Sequence, residues 1–198
     1  MDFDLYLASQ SPRRQELLDQ LGVRYRVQSA NIPEVRRDNE SADIFVQRLA
    51  LEKAAHVWAE LDEFESRPVL GADTVVVLNG EIMGKPQSAD QGAAMLRALS
   101  GQTHQVMTGV ALVSQQHSVC VNVSYVRFRV LDDEEIQQYW HTGEPQDKAG
   151  GYAVQGYAAA FIENLQGSYS GVMGLPLFET AQLLKEKNIT IWNRNQYE

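Results

Sequence analysis

The stretch Leu5-Tyr6-Leu7-Ala8-Ser9-Gln10-Ser11-Pro12-Arg13-Arg14-Gln15-Glu16-Leu17-Leu18-Asp19-Gln20-Leu21-Gly22 decides how the rest of the chain is read. Its first four residues form an apolar run that predicts a short buried strand. Ser11 suits a helix N-cap, Pro12 the first helical position and Gly22 the left-handed position after the last turn. The segment therefore reads as strand, tight loop and helix. That order is the opening unit of an α/β fold.

Working outward, Ser41 predicts the cap of a second helix through Leu61, and Pro68 to Leu78 predicts a strand. Asn79-Gly80 is a two-residue hairpin turn into Glu81-Ile82-Met83. Ser88 to Leu99 predicts a third helix closed by Gly101, and Gln105 to Val113 and Val119 to Val130 a pair of strands joined by Ser114-Gln115-Gln116-His117. Asp132 and Glu135 have capping-box spacing, with Leu131 placed to staple onto Ile136, and Gly143 ends that helix. Ala158 to Leu165 reads as an apolar strand, Gly167 to Gly174 as a flexible loop, and Pro176 to Lys187 as a final helix with Pro176 in its first turn.

The 198 residues suffice for one sizeable domain, and no Pro-, Gly- or Ser-rich linker or internal repeat divides them. A single domain over residues 1–198 is expected. With 44% hydrophobic and 22% charged residues the composition is that of an ordinary globular protein. The start lacks a basic region followed by an apolar run, and no stretch is long and apolar enough for a membrane span. The expectation is a cytoplasmic protein with no membrane partner. The net charge of −9 repels polyanions, so a nucleic acid polymer is not an expected partner, and an anionic ligand would need a local basic pocket. The single cysteine, Cys120, excludes an intrachain disulfide and a Cys-rich zinc site, and its apolar neighbours predict a buried structural thiol.

Several residues break local rules. Arg13 and Arg14 fall in the first turn of a helix, where the macrodipole disfavours cations by about 0.3–1 kcal/mol each. With Ser9, Ser11 and the backbone N–H groups of the helix start they would cradle a phosphate; two solvated arginines on a turn is the alternative. Lys53 sits within the apolar stripe Val46, Leu49, Ala50, Val57, Leu61, where it either faces an anion or snorkels to water. Glu52 lies one helical turn from Arg48, a structural pair. Asp73 lies inside the apolar strand Val69–Leu78, where a carboxylate is costly unless paired, hydrogen-bonded or bound to metal. Gly71, two residues earlier, would let a ligand approach the backbone. Lys85-Pro86 puts a further amine on a rigid corner. Asp147-Lys148-Ala149-Gly150-Gly151-Tyr152-Ala153-Val154-Gln155-Gly156 is a glycine-punctuated loop without the spacing of a P-loop or a dinucleotide fingerprint. The four histidines lack metal-site spacing, and His104 alone is placed where it can approach a site.

Taken together, these segments resemble the Maf family, and within it the bacterial branch acting on dTTP and UTP. The matching pieces follow in order: Leu7-Ala8-Ser9-Gln10-Ser11-Pro12-Arg13-Arg14, Arg48-Leu49-Ala50-Leu51-Glu52-Lys53-Ala54, Gly71-Ala72-Asp73-Thr74, Gly84-Lys85-Pro86, Ser100-Gly101 with His104 and Val106, Asp147 to Gly156, and Gly174-Leu175-Pro176. The resemblance implies an elongated, two-lobed α/β fold like that of inosine triphosphate pyrophosphatases, with a central mixed sheet and a deep cleft, and a homodimer. It implies hydrolysis of a nucleoside triphosphate to the monophosphate and pyrophosphate with a divalent cation, Mg²⁺ or Mn²⁺. By position Asp73 matches the proton acceptor, Lys53 and Lys85 other catalytic residues, and Arg13, Thr74 and Gln155 residues that set base specificity. Ser9 and Arg14 fall among the substrate-binding residues, and Asp73 and Glu34 would hold the metal. Asn31-Ile32-Pro33-Glu34 departs from many relatives, which carry an acidic residue near these places.

The branch follows from Gly71-Ala72-Asp73-Thr74 and Tyr152-Ala153-Val154-Gln155-Gly156, since a sister branch acting on 7-methyl-GTP resembles Gly-Ser-Asp-Gln with a glutamate at the second place. A glutamine amide offers both donor and acceptor to a pyrimidine edge, and Thr74 adds a hydroxyl. The expected chemistry is attack of water on the α-phosphorus with pyrophosphate leaving. The rivals are a nucleotide-binding regulator of cell division that does not turn over, and a phosphatase that removes the terminal phosphate.

Overall fold

In the computed structural model the opening segment folds as strand, loop and helix: β1 is Leu5–Leu7 and α1 is Pro12–Gln20, with Gly22 at φ +62° just beyond it. The structure describes residues 3–62, 64 and 67–192. The further elements, in chain order, are β2 (Tyr25–Val27), α2 (Ala42–Glu60), β3 (Val69–Leu78), β4 (Glu81–Met83), α3 (Ala89–Leu99), β5 (Thr103–Val113), β6 (His117–Phe128), α4 (Asp133–His141), β7 (Ile162–Gln166), α5 (Tyr169–Met173) and α6 (Leu177–Glu186). Seven strands make one mixed sheet in the order β2-β1-β3-β5-β6-β7, with β4 also paired to β3. β1 runs parallel to β2 and β3, whereas β4 on β3 and β7 on β6 are antiparallel.

The chain divides into two compact units. The first comprises Met1–Asp73, Thr108–Asn122 and Gly174–Glu198, and the second Thr74–Met107 and Val123–Met173. In the first unit α2 lays Ala50, Ala54 and Val57 against Tyr6, Ala8, Val69 and Ala111. Small residues bring the helix close to the sheet. A Cβ on Gly71 would collide with the Ala50 carbonyl, and one on Gly109 with the Val46 carbonyl. Gly71 thus serves helix–strand packing, and the expectation that a ligand approaches the backbone there is corrected.

The second unit buries Leu96, Leu99, Val126, Phe128, Ile136, Tyr139, Tyr152 and Phe161 in one cluster. Its β3–β4 turn has Asn79 at φ +52° and Gly80 at φ +84°, the pair of left-handed residues that the Asn-Gly dipeptide predicts. The Asp132–Glu135 capping box is complete in both directions. Leu131 and Ile136 are buried in the same cluster, as the staple requires.

Some readings change. Residues 157–161 form a 3-10 turn, and the strand starts only at Ile162. The cause lies outside the segment: the Glu144 carboxylate accepts the Tyr157 and Ala158 N–H groups at 2.8 and 3.2 Å, which holds the chain in a turn. Within the expected loop, residues 169–173 are α5, begun by the Ser168 hydroxyl accepting the Gly171 N–H at 2.9 Å. Pro176 is the N-cap of α6 and lies before its first turn. Cys120 is half-buried, and its thiol is pushed up to about 11 by burial and by the charges of Glu179 and Glu186.

Candidate functional site

The first unit gathers the charged residues. Lys53, on the buried face of α2, is 8% exposed, and Asp73, on β3, is 6% exposed. The Lys53 Nζ donates to Asp73 Oδ1 at 2.7 Å and pairs with Glu34 Oε1 at 2.5 Å. The apolar stripe therefore carries its ammonium into a carboxylate pair, and snorkelling is corrected: at this burial the charge needs its partners. Burial holds the Asp73 carboxyl above the usual carboxylate range, opposed by the charge and hydrogen bond of Lys53 and by the charge of Arg14.

Arg14, in the first turn of α1, donates from Nη1 to the Ser9 hydroxyl at 3.2 Å and from Nε to the Gly174 carbonyl at 2.8 Å. These contacts bring Gly174-Leu175-Pro176 to the segment around Ser9. Burial pulls the Arg14 guanidinium below its ordinary range, with the Asp73 charge acting against that. Ser9 is buried and its hydroxyl accepts the Ser11 N–H at 3.3 Å, which fixes the loop before the helix. Arg13 is half-buried, the Glu16 charge opposes the effect of burial on its guanidinium, and its side chain shares none of the contacts above.

Glu34 comes from an irregular segment, and what places it there was not visible in the sequence. Glu40, buried at 7% exposure, receives Arg48 Nε on Oε1 at 2.6 Å and Nη2 on Oε2 at 2.7 Å. The Arg48 Nη2 also reaches the Val35 carbonyl at 3.0 Å, one residue from Glu34. Two hydrogen bonds from the Arg48 side chain and one from the Arg37 backbone drive the Glu40 carboxyl down to about 2. Arg48 and Glu52 pair at 2.9 Å, as their helical spacing predicts. The sequence offered no local anomaly at Glu40, because an acid before a helix cap is ordinary.

The second unit holds Thr74, Lys85 and Gln155. Thr74 is half-buried, directly after Asp73 in β3, while Lys85 and Gln155 are exposed. The Gly84 carbonyl accepts the Gly150 N–H at 3.0 Å, so the Gly84-Lys85-Pro86 corner and the 147–156 loop are tied together. His104, 1% exposed, meets the Tyr152 hydroxyl through Nε2 at 2.7 Å and stacks edge-on against Phe128. Burial lowers the His104 imidazole to about 4, so it is neutral at physiological pH.

Among the described residues no group of three or more His, Cys, Asp or Glu is poised to hold a metal. Two carboxylates, Asp73 and Glu34, each contact the same Lys53 nitrogen. A pair of carboxylate oxygens suits a hard divalent cation such as Mg²⁺, which commonly takes one or two carboxylates and completes its shell with water and substrate phosphates. No helix among the described residues is long and apolar enough to cross a membrane.

A buried lysine between two carboxylates, with an arginine at a helix start acting on the same aspartate, marks the charged cluster of this α/β protein. The chain belongs to the family described as "Maf-like protein", whose pattern it matches over residues 4–187. It is 57% identical over 188 residues to the dTTP/UTP pyrophosphatase of Alkalilimnicola ehrlichii, covering 93% of each chain. It is 50% identical over 190 residues to the protein of the same name from Hahella chejuensis, covering 96% of this chain and 94% of the other. It is 51% identical over 195 residues to that of Escherichia coli O157:H7, covering 98% of each.

Proposed function

We propose that this protein hydrolyses dTTP and UTP to the monophosphate and pyrophosphate by attack of water on the α-phosphorus. The observation that carries the reading is the buried Lys53–Asp73–Glu34 cluster, set in a chain half or more identical to proteins named for that reaction. Arg13, Arg14 and the Ser9 hydroxyl bind phosphate oxygens, and Lys53 and Lys85 neutralise the charge that builds on them. Asp73, its carboxyl raised by burial, orients the water and accepts its proton. Asp73 and Glu34 would hold a divalent cation, Mg²⁺ or Mn²⁺, which when bound neutralises phosphate charge. Thr74 and Gln155 read the imide edge of uracil or thymine. The family resemblance carries two further parts of the reading, a homodimer and a cytoplasmic location.

The test is a panel of nucleotides with purified protein, with and without a chelator, in coupled assays that distinguish pyrophosphate from phosphate. Pyrophosphate from dTTP and UTP, abolished by the chelator, is expected. Free phosphate alone would make the protein a terminal phosphatase, and tight nucleotide binding without turnover a regulator; either result overturns the reading. Base reading is tested by Gln155→Glu, which removes the donor to the pyrimidine carbonyl. The ratio of UTP to GTP specificity constants should fall about tenfold to a hundredfold.

A further inference from the structure

The loop that carries Gln155 is fastened on both sides of that residue by side chains that belong to no part of the mechanism above. On the upstream side the Tyr139 hydroxyl, projecting from α4, accepts the Ala153 N–H at 3.3 Å. On the downstream side the Glu144 carboxylate accepts the Tyr157 N–H at 2.8 Å and the Ala158 N–H at 3.2 Å. The two anchors are linked, because the Tyr139 hydroxyl donates to Glu144 Oε1 at 2.7 Å. Glu144 is itself placed by the end of α4, where its N–H donates to the Thr142 hydroxyl at 3.2 Å.

Gly156 explains why the arrangement is particular to this loop. Its φ of −109° is open to any residue, so a left-handed backbone is not what calls for glycine here. A Cβ at this position would collide with the Glu144 carboxylate. The glycine next to Gln155 thus leaves the space that the carboxylate fills. A glutamine that discriminates by hydrogen bonding needs its backbone fixed to within a fraction of an ångström, and three backbone N–H groups held by two joined side chains supply such a mount.

We propose that Glu144 and Tyr139 are positioning residues for base recognition, setting the discrimination exerted by Gln155 through the loop they clamp; this rests on Gln155 as the base reader. Neither acts on the phosphates. Weakening the clamp raises KM for the pyrimidine nucleotide and lowers discrimination, while kcat with saturating UTP changes little.

The experiment measures kcat and KM for UTP and GTP in the full-length protein and in Glu144→Gln, Tyr139→Phe, Gly156→Ala and Gln155→Glu, with circular dichroism on each. In Glu144→Gln and Gly156→Ala the UTP to GTP ratio of kcat/KM should fall about tenfold, mainly through KM for UTP. Tyr139→Phe, which deletes one hydroxyl and is the variant most certain to fold, should lower it about threefold. The double variant Glu144→Gln/Gly156→Ala should do no more than either single change, since both disturb the same Glu144 carboxylate contacts. A purely structural role would reduce the folded fraction and hence apparent kcat for both nucleotides alike, leaving KM and the ratio unmoved. That pattern in Tyr139→Phe and Glu144→Gln, alongside a changed ratio in Gln155→Glu, overturns the clamp alone. An unchanged ratio in Gln155→Glu overturns the base-reading assignment and the clamp with it.

Discussion

The two units place their candidate residues by opposite means. In the first, charged side chains do the holding: Lys53 lies between Asp73 and Glu34, Arg48 grips Glu40, and Arg14 reaches the Ser9 hydroxyl and the Gly174 carbonyl. In the second, the contacts around the Gln155 loop come from neutral groups and one carboxylate, with His104 on Tyr152 and Tyr139 on Ala153. A buried charge whose partner is removed becomes strongly unfavourable, whereas a neutral hydrogen bond costs about 1 kcal/mol to lose. Under the proposed function, the first unit would act on the phosphate chain and the Gln155 loop of the second on the base. Changes in the first should therefore act on turnover, and changes at the Gln155 loop and His104 of the second on selectivity and on the response to pH.

The sharpest way to break that contrast is Asp73→Asn. The amide keeps the volume but neither accepts a proton nor binds metal as well, so pyrophosphate release should fall about a thousandfold or more while circular dichroism remains native. Lys53 keeps Glu34 as a partner, at 2.5 Å, which lets the fold survive. Near-normal turnover in a folded Asp73→Asn protein would remove the residue from the mechanism and the contrast with it.

Lys53→Met and Lys85→Met sharpen the same contrast within one residue type. Lys53 is buried against two carboxylates and Lys85 is exposed. Met keeps the apolar stem of each and deletes its charge. Lys53→Met should cost about a hundredfold in kcat and also stability, because it strands Asp73 in the interior, while Lys85→Met should cost about tenfold with an unchanged urea midpoint. Equal stability losses would show that burial does not separate their roles.

What the sequence exposed was whatever broke a local pattern. Asp73 in an apolar strand and Lys53 in an apolar stripe stood out because burial makes an isolated charge costly, and the structure pairs them. The Asp132–Glu135 capping box, the Asn-Gly turn and glycine stops were legible because those signals act over a few residues. Ser11 and Ser41 occupy the expected N-cap positions, yet neither side chain closes a capping hydrogen bond. β2 escaped notice because it is three residues long with a half-exposed pattern. Residues 157–161 read as strand because an apolar run carries no period, and the Glu144 contacts that bend them come from outside the segment. Glu40 and Glu144 were silent for the same reason: an ordinary acid on a polar stretch is marked only by what folding brings to it.

The smallest effect should come from His104, and it tests the neutrality of the His104–Tyr152 contact. Its imidazole is lowered by burial from 6.5 to about 4, so in the folded protein it stays unprotonated where the unfolded chain takes up a proton. A group whose folded pKa is depressed contributes stability above its unfolded value, and that contribution is lost as pH falls through the window from about 6.5 to about 4. The loss should be on the order of 3 kcal/mol by the lower end of the window. His104→Gln keeps a donor for the Tyr152 hydroxyl and deletes the titration, so turnover at neutral pH should be nearly unchanged. Urea midpoints at pH 7.5 and 4.5, followed by tryptophan fluorescence, give the reading. The drop in midpoint should be visibly smaller in His104→Gln than in the parent, because only the parent has this proton to gain on unfolding. Parallel drops would mean that His104 accepts a proton in place, and the edge-on packing against Phe128 and Tyr152 would then have to accommodate an imidazolium.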